Sequence, residues 1–526
     1  MKQVIFVFGF LITSLIAYSQ GGVGSVGGAT IDTTTKIETR SHTAATYKQK
    51  GDSINVDGYA TVYDVSLKAD QTWADTVKGD NEVTNEITAA IEGVEGLDPD
   101  EVLDSIKNAP FPYTYVIQEL AGTIYAVPEK NSGYEHFHDT NITSVLNNAI
   151  GELTNGGKIF IRKGTYDYIY ESITIDYDNI IIEGEGKFST ILKFKEDVDA
   201  VRSMPMIYCG GTDGFELRNV GLDGYGAEQT FIDNGASETA RCLGFYAYDS
   251  ATFSATTNII IDNCYIYDFT SIGVYFSYAS DCKVINSILK DTYWGQFGTG
   301  SETNNIIIDN CIFGGGGNGE VTFHNGYGNK LLNSYFYDTD GTHGTAEGQY
   351  SITLEGTGVG PTAITIENNI IDAPTTHMGI YALSASNNCV IKDNLIYNVG
   401  VQDASVIKMN NDTNTVITGN KIYDVAGTYM PAIWLYNSRR ALVTNNYISA
   451  DVYYGIYLSN GSSYNTIMGN FIYGSNMGVN ITSGANYNRI IENDFDTAAD
   501  DVADAGTGTI FGNNIWNDGT YDNSAP

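Results

Sequence analysis

The feature that most constrains this chain is a repeat running from about residue 257 to 516. Aligning IIIDNCYIYD, VINSILKD, IIIDNCIFGG, LLNSYFYD, IENNIIDA, IKDNLIYN, ITGNKIYD, VTNNYISA, IMGNFIYG and IIENDFDT creates one register column. It holds Cys264, Ser287, Cys311, Ser334, Asn369, Asn394, Asn420, Asn446, Asn470 and Asn493. Successive members lie 23 to 26 residues apart, except for one step of 35 between Ser334 and Asn369. A fixed period of this length stacks supersecondary units instead of building an ordinary globular core. Each period carries two or three short β-rich runs separated by Asn, Gly, Ser and Asp, which describes one coil of a parallel β-solenoid. A leucine-rich repeat would need a dense Leu framework, and that is missing. The Asn column has a structural reason of its own: an amide at each inward turn can bond the amides above and below it and satisfy buried backbone.

Length alone would permit several domains, but one solenoid absorbs three hundred residues or more. Nine Pro against 58 Gly and 38 Tyr suit a strand-and-turn protein. The net charge of −36, from 63 acidic and 27 basic residues, repels nucleic acid and anionic membrane. It also weighs against an acidic polymer as ligand unless calcium or a local basic pocket bridges the repulsion.

Residues 1–19 read as a signal peptide: Lys2, an apolar run over 4–16, then Ala17-Tyr18-Ser19 as a small-x-small cleavage site. This predicts a secreted or cell-surface protein with no membrane attachment after cleavage. Residues 20–110 differ in character, Gly-rich and then Thr-rich, with two short helical patterns at 82–91 and 98–107. A linker, an attachment module or a stalk would all look like this. The run 111–127 reads as a strand pair entering the main domain. Over 142–153, Val145, Leu146, Ala149, Ile150 and Leu153 share one helical face, as expected of a lid over the open end of a solenoid. The six Cys show no metal-type pairing. They read mostly as small buried residues, with Cys264 and Cys282 able to approach one another.

The run GGKIFIRKGTY (156–166), followed by ITI and NIIIEGEGKFSTIL, resembles the opening coils of the pectate-lyase-like, right-handed parallel β-helix superfamily. The helix before it resembles that superfamily's N-terminal cap. The resemblance covers roughly 111–516, with 517–526 left as a tail. It implies an all-β fold: a right-handed parallel β-helix with an N-terminal capping helix, preceded by a small separate region. It does not imply one activity, because lyases, hydrolases, uronate epimerases and phage tailspikes share the fold. The Gly-His-Gly signature of polygalacturonase-type hydrolases, the pectate-lyase Arg-x-x-Pro pattern and the Asp-Pro-His motif of mannuronan epimerases are absent, so their catalytic residues are not carried over.

Candidate sites follow from strand alternation. The second run of each coil reads apolar-x-apolar and projects an outward column of Tyr208, Tyr246, Tyr275, Thr322, Thr353, Tyr381, Lys408, Trp434, Tyr457 and Asn480. Two residues further on stand His324, Glu355, Asn410 and Tyr436. Coils about 4.8 Å apart match the length of one sugar ring per rung, and aromatic faces among polar groups suit carbohydrate. Substrate-binding candidates are therefore Tyr246, Tyr275, Tyr381, Trp434, Tyr436 and Tyr457, with Arg439 in the following turn as a grip for a carboxylate or sulfate. The catalytic candidates are His324, Glu355 and Lys408, with His343 and Glu347 from the loop 338–349 that explains the 35-residue step. A His or Lys beside carboxylates suits proton abstraction next to a uronate carboxyl, with Tyr381 or Tyr275 as acid; paired carboxylates suit glycoside hydrolysis. Asp338 and Asp340 partly match a calcium loop. The expectation is an exported polysaccharide lyase or glycoside hydrolase. The rival is a non-catalytic adhesin or tailspike-like receptor-binding protein. A secreted enzyme of this kind is expected to be monomeric, and a spike trimeric.

Overall fold

The computed structural model describes residues 113–129, 132–196, 204–226, 242–248, 256–315, 319–337, 350–356, 360–372, 378–399, 405–497 and 499–516, with short strands at 25–26, 29–30 and 521–522. The segment 1–19 read as a signal peptide, the two helical patterns read before residue 110 and the loop 338–349 lie outside the described residues. The chain divides into two units, 1–94 and 95–526. In the first, Ser25–Val26 pairs antiparallel with Ala29–Thr30.

The second unit is a right-handed parallel β-solenoid of about 12 turns. One coil shows why the repeat folds this way. Lys283–Ile285 forms a strand of the first sheet, and Asn286 then turns the chain at φ 54. Ser287 faces inward, Ile288–Lys290 enters the second sheet, and Gly295–Thr299 forms the third. The next coil starts at Ile307–Asp309, in parallel register with Lys283–Ile285. The sharp turn between the first and second sheets requires a left-handed residue, which Asn and Asp tolerate better than other side chains. Asn263, Asn286, Asn310, Asn333, Asn368, Asp393 and Asn445 all sit there at φ 49–55. Gly419 and Gly469 take the same place on two coils.

Immediately after that turn comes the column of Cys, Ser and Asn, and it is buried throughout. Asn369, Asn394, Asn420, Asn446, Asn470 and Asn493 each donate Nδ2–H to the amide oxygen of the next coil at 2.9–3.1 Å, the last reaching Asn514. Each backbone N–H donates to that same oxygen. Where the register holds Ser, its Oγ accepts instead: Cys264 N–H donates to Ser287 and Cys311 N–H to Ser334. The sulfurs take no part in bridges. All six Cys are free and buried, and burial pushes the Cys264 and Cys282 thiols up to about 12. Cys264 Sγ is directed to the Leu217 carbonyl and Cys282 Sγ to that of Ser280, and no bridge joins the two.

The core is a set of inward stacks, among them Val284-Ile308-Leu331-Ile366-Ile391-Ile417 in the first sheet, all fully buried. At the N-terminal end, Tyr115–Leu120 and Thr123–Pro128 form the expected hairpin, whose first strand joins the first sheet against Ile159–Ile161. The helix α1, Ile142–Glu152, starts at Asn141, whose side chain accepts from Thr143 N–H. Its face of Ile142, Val145, Leu146, Ala149 and Ile150 is continuous with the solenoid core. At the other end Trp516 stacks on Phe495 with ring centroids 5.4 Å apart. No helix among the described residues is long and apolar enough to cross a membrane.

Candidate functional site

The third sheet carries the column of interest. Its pairings give the outward order Tyr208, Tyr246, Tyr275, Gly298, Thr322, Thr353, Tyr381, Lys408, Trp434, Tyr457, Asn480. The run-by-run sequence reading passes straight from Tyr275 to Thr322, whereas the strand Gly295–Thr299 stands between them. Two glycines make that strand look like a turn, and Thr299 in the place of an apolar residue removes the apolar-x-apolar signature. The signal that could have found it is the repeat itself: Ser287 marks a coil, and every coil needs a third-sheet strand.

Side-chain size along the column is uneven, and this sets the site's shape. At one end Tyr246 lies 6.1 Å from Tyr208 and 5.5 Å from Tyr275, ring centroid to centroid. At the other, Trp434 sits 5.6 Å from Tyr457, which stacks on Tyr454 at 4.8 Å. Between these shoulders come Gly298, Thr322 and Thr353, which rise little above the sheet. A Cβ at position 298 would meet the Tyr275 ring at 3.0 Å, so the ring leans over the glycine. From Tyr275 to Tyr381 the low stretch spans four coil steps, about 19 Å at the usual strand spacing.

His324 and Glu355 stand beside this low stretch on paired positions of neighbouring coils. His324 Nδ1 lies 3.3 Å from Glu355 Oε1, each side chain about one-third exposed. The His324 N–H donates to Thr299 Oγ1 at 2.8 Å, which ties the residue to the coil below. A carboxylate on Nδ1 orients the ring and leaves Nε2 as the nitrogen that can exchange a proton with a ligand. Tyr381, on the next coil, is almost buried beside Tyr350, and burial raises the pKa of both phenols. They stay protonated at neutral pH and have a proton to donate.

Lys408 is not part of the His324–Glu355 pair. It stands two coils beyond Glu355, about 10 Å along the axis. Its Nζ lies 4.0 Å from the Trp434 ring centroid, 5.0 Å from that of Tyr381 and 6.0 Å from that of Tyr436. The Trp434 indole N–H donates to Ser459 Oγ at 2.8 Å, which fixes the ring. Burial lowers the Lys408 pKa, with no neighbouring charge acting against it.

Arg439 is exposed, in the turn that follows Tyr436, and its backbone bridges Thr413 and Ser463. It therefore lies off the aromatic column, at the edge of the third sheet. His343, Glu347, Asp338 and Asp340 fall outside the described residues. Among the described residues no three His, Cys, Asp or Glu side chains cluster so as to hold a metal ion. One carboxyl escapes a sequence reading altogether. Glu320, on the same strand as His324, is 1% exposed, and neither of its carboxyl oxygens has a hydrogen-bond partner. Strict alternation from Val321 would turn it outward, but it is buried, as are Gln296 and Ser351 at the matching positions of the neighbouring coils.

Residues 243–403 and 344–495 match the family model for a right-handed β-helix region. No curated protein matches the chain in sequence. Among solved structures, the A-module of a mannuronan C-5 epimerase from Azotobacter vinelandii is similar at 15% identity and a TM-score of 0.51, covering 70% of this chain and 94% of that one. DFA-IIIase from Arthrobacter chlorophenolicus A6, without its lid, is similar at 13% identity and 0.48, covering 62% and 90%. A second mannuronan C-5 epimerase A-module from Azotobacter vinelandii is similar at 13% identity and 0.44, covering 70% and 92%. At 15% identity the likeness to the first of these is one of fold alone, and with the solenoid and the family model it agrees with the resemblance read from the opening coils: this chain is a right-handed parallel β-helix protein.

Proposed function

We propose that this chain is an exported polysaccharide-acting enzyme that lays its substrate along the third-sheet column and transfers protons at His324 and Glu355. One observation carries the reading. The low stretch between the aromatic shoulders of the column is bordered by a His–carboxylate pair. The aromatic shoulders supply stacking faces for sugar rings, and the glycine and threonines leave room for a ring between them. The leader read at 1–19 supports export. The epimerase of similar fold is named for action on mannuronan, but the Asp-Pro-His motif is missing here, so that reaction is not carried over.

Proton abstraction is favoured over hydrolysis by paired carboxylates. Hydrolysis needs two carboxyl groups flanking one bond, whereas Glu355 is paired with His324 and Glu320 is sealed inside. In the elimination, His324 Nε2 takes the proton from the ring carbon next to a carboxyl group. The electron pair left behind forms a C=C bond as the bond to the glycosidic oxygen breaks. A tyrosine hydroxyl, Tyr381 by position, gives that oxygen its proton.

The test is a glycan panel incubated with the full chain and read two ways, by ultraviolet absorbance of an unsaturated product and by new reducing ends. Both signals together support the lyase. Reducing ends without absorbance would mean hydrolysis and refute His324 as the abstracting base. Binding without either signal would make the protein an adhesin.

A further inference from the structure

Several described cations on the solenoid's outer faces have a carboxylate at hand. Lys290 meets Asp291 at 2.9 Å, Lys392 meets Glu367 at 2.7 Å, and Arg162 meets Glu185 at 3.3 Å. In a chain with 63 acidic residues against 27 basic ones, this is the expected outcome. Lys408 departs from it. It is half-buried in the middle of the third-sheet column, and no carboxylate among the described residues lies within ion-pair distance. Aromatic rings of Trp434, Tyr381 and Tyr436 surround its ammonium group instead.

Ring faces stabilise a cation but do not neutralise it, and a partly desolvated charge without a counter-ion is costly. Such a group is retained at that cost where a ligand provides the missing charge. The rings also hold the long side chain in place, so little of its freedom remains to be lost on binding. We infer that Lys408 is an anion subsite, and that the polysaccharide carries a carboxylate or sulfate about two sugar units from the residue at His324 and Glu355. The inference rests on the third-sheet column being the sugar path and adds the substrate class: a polymer charged on more than one unit, not one with a single acidic residue at the reacting position. Lys408 is then a specificity residue and not a base, since two coils separate it from the low stretch.

The test measures binding of the folded full chain to two matched pairs of probes: polygalacturonate with its carboxyl-reduced form, and dextran sulfate with dextran. The parent is expected to prefer at least one anionic member by roughly tenfold or more, the worth of one charge-assisted contact. Which pair shows the preference tells carboxylate from sulfate. Lys408→Met, which keeps the apolar stem, should erase the preference, and Lys408→Arg should keep most of it. Trp434→Ala should weaken charged and uncharged probes alike. A Lys408→Met protein that retains the full preference, or a parent that favours the neutral members, overturns the anion subsite while leaving the column reading intact. If Trp434→Ala binds every probe as the parent does, the column reading itself fails. Should Lys408→Met not fold, Lys408→Gln and the salt dependence of parent binding decide the same question, because affinity through one ion contact must fall as salt rises.

Discussion

Replacing Asn420 with Leu should destabilise the solenoid at one identifiable amide. In the native ladder Asn420 Oδ1 accepts from the Asn394 backbone N–H at 3.1 Å and from Asn394 Nδ2 at 2.9 Å. Its own Nδ2 donates to Asn446 Oδ1, to the Ile391 carbonyl and, more weakly, to that of Thr418. Leucine removes all of these. Asn394 Nδ2 keeps the Ile366 carbonyl, and Asn446 Oδ1 keeps the Asn420 backbone N–H. The Asn394 N–H keeps nothing. One orphaned buried N–H costs about 1–3 kcal/mol, and that is the expected loss. Serine offers an internal control, because Ser287 and Ser334 already occupy this register and accept the N–H of the coil before them at 3.0 and 3.2 Å. Asn420→Ser should therefore cost less than Asn420→Leu, although Leu is closer in volume. A solenoid need not unfold in one step, so the decisive assay is amide hydrogen exchange at Asn394, backed by the denaturation midpoint. Exchange at Asn394 should accelerate in the Leu variant and be largely restored in the Ser variant. If Asn420→Leu melts like the parent with Asn394 still protected, and only activity is lost, the column is functional and the structural argument is wrong.

His324→Ala and Glu355→Gln should each lower turnover by about 10²–10⁴-fold while leaving binding of the same glycan nearly unchanged, because acid–base groups act mainly in the transition state; full activity in both variants would move the site elsewhere. Trp434→Ala should weaken glycan binding by about 1–3 kcal/mol, as for other rings stacked on aromatic faces, which calorimetry can check. Glu320→Gln should stabilise the protein, increasingly so as pH rises. Burial raises the Glu320 pKa well above its ordinary value of 4.5. Below that value the carboxyl is protonated folded and unfolded and costs nothing extra. Above it the unfolded chain ionises while the folded one does not, so parent stability falls until the raised pKa is passed. A difference in denaturation midpoint that stays constant from pH 4.5 to 8 would contradict this.

Much of the fold is legible because its determinants recur. The left-handed Asn and the inward amide sit side by side in Asn368-Asn369 and Asn445-Asn446, so a single sequence signature marks both the turn and the ladder. α1 is legible for the ordinary reason that its apolar residues fall on one face behind an Asn cap. A second ladder escapes notice because it is interrupted. Asn329 accepts from Ile306 N–H, and Asn465 bonds Asn488, yet the same register holds Ile306, Cys389 and Ala441 on other coils. Gly298 escapes for the opposite reason: a strand whose outward residue has no side chain resembles a loop. Glu320 could not be placed by alternation, since it and its neighbour Val321 are both buried.

The candidate site lies where the repetition fails, and there is a physical reason to expect it there. Inward positions are fixed by stacking like on like, so a departure costs packing or leaves an amide without its partner. Outward positions carry no such penalty and are free to differ from coil to coil. The spacing of about 4.8 Å that aligns Ile on Ile inside also sets the pitch of whatever lies along the outside. Gly298, Thr322 and Thr353 break the aromatic column, and Lys408 places among its rings a cation with no carboxylate within ion-pair distance among the described residues. The net charge of −36 does not oppose an anionic ligand as strongly as the total suggests. At physiological salt most of those charges are screened beyond about 8 Å, so the bulk of them act on the rate of approach. Once a polymer is bound, the groups it touches decide its affinity. On this column the described side chains within reach are aromatic rings, hydroxyls, one His–carboxylate pair and one uncompensated ammonium group, so the local balance at Lys408 is opposite in sign to that of the chain as a whole.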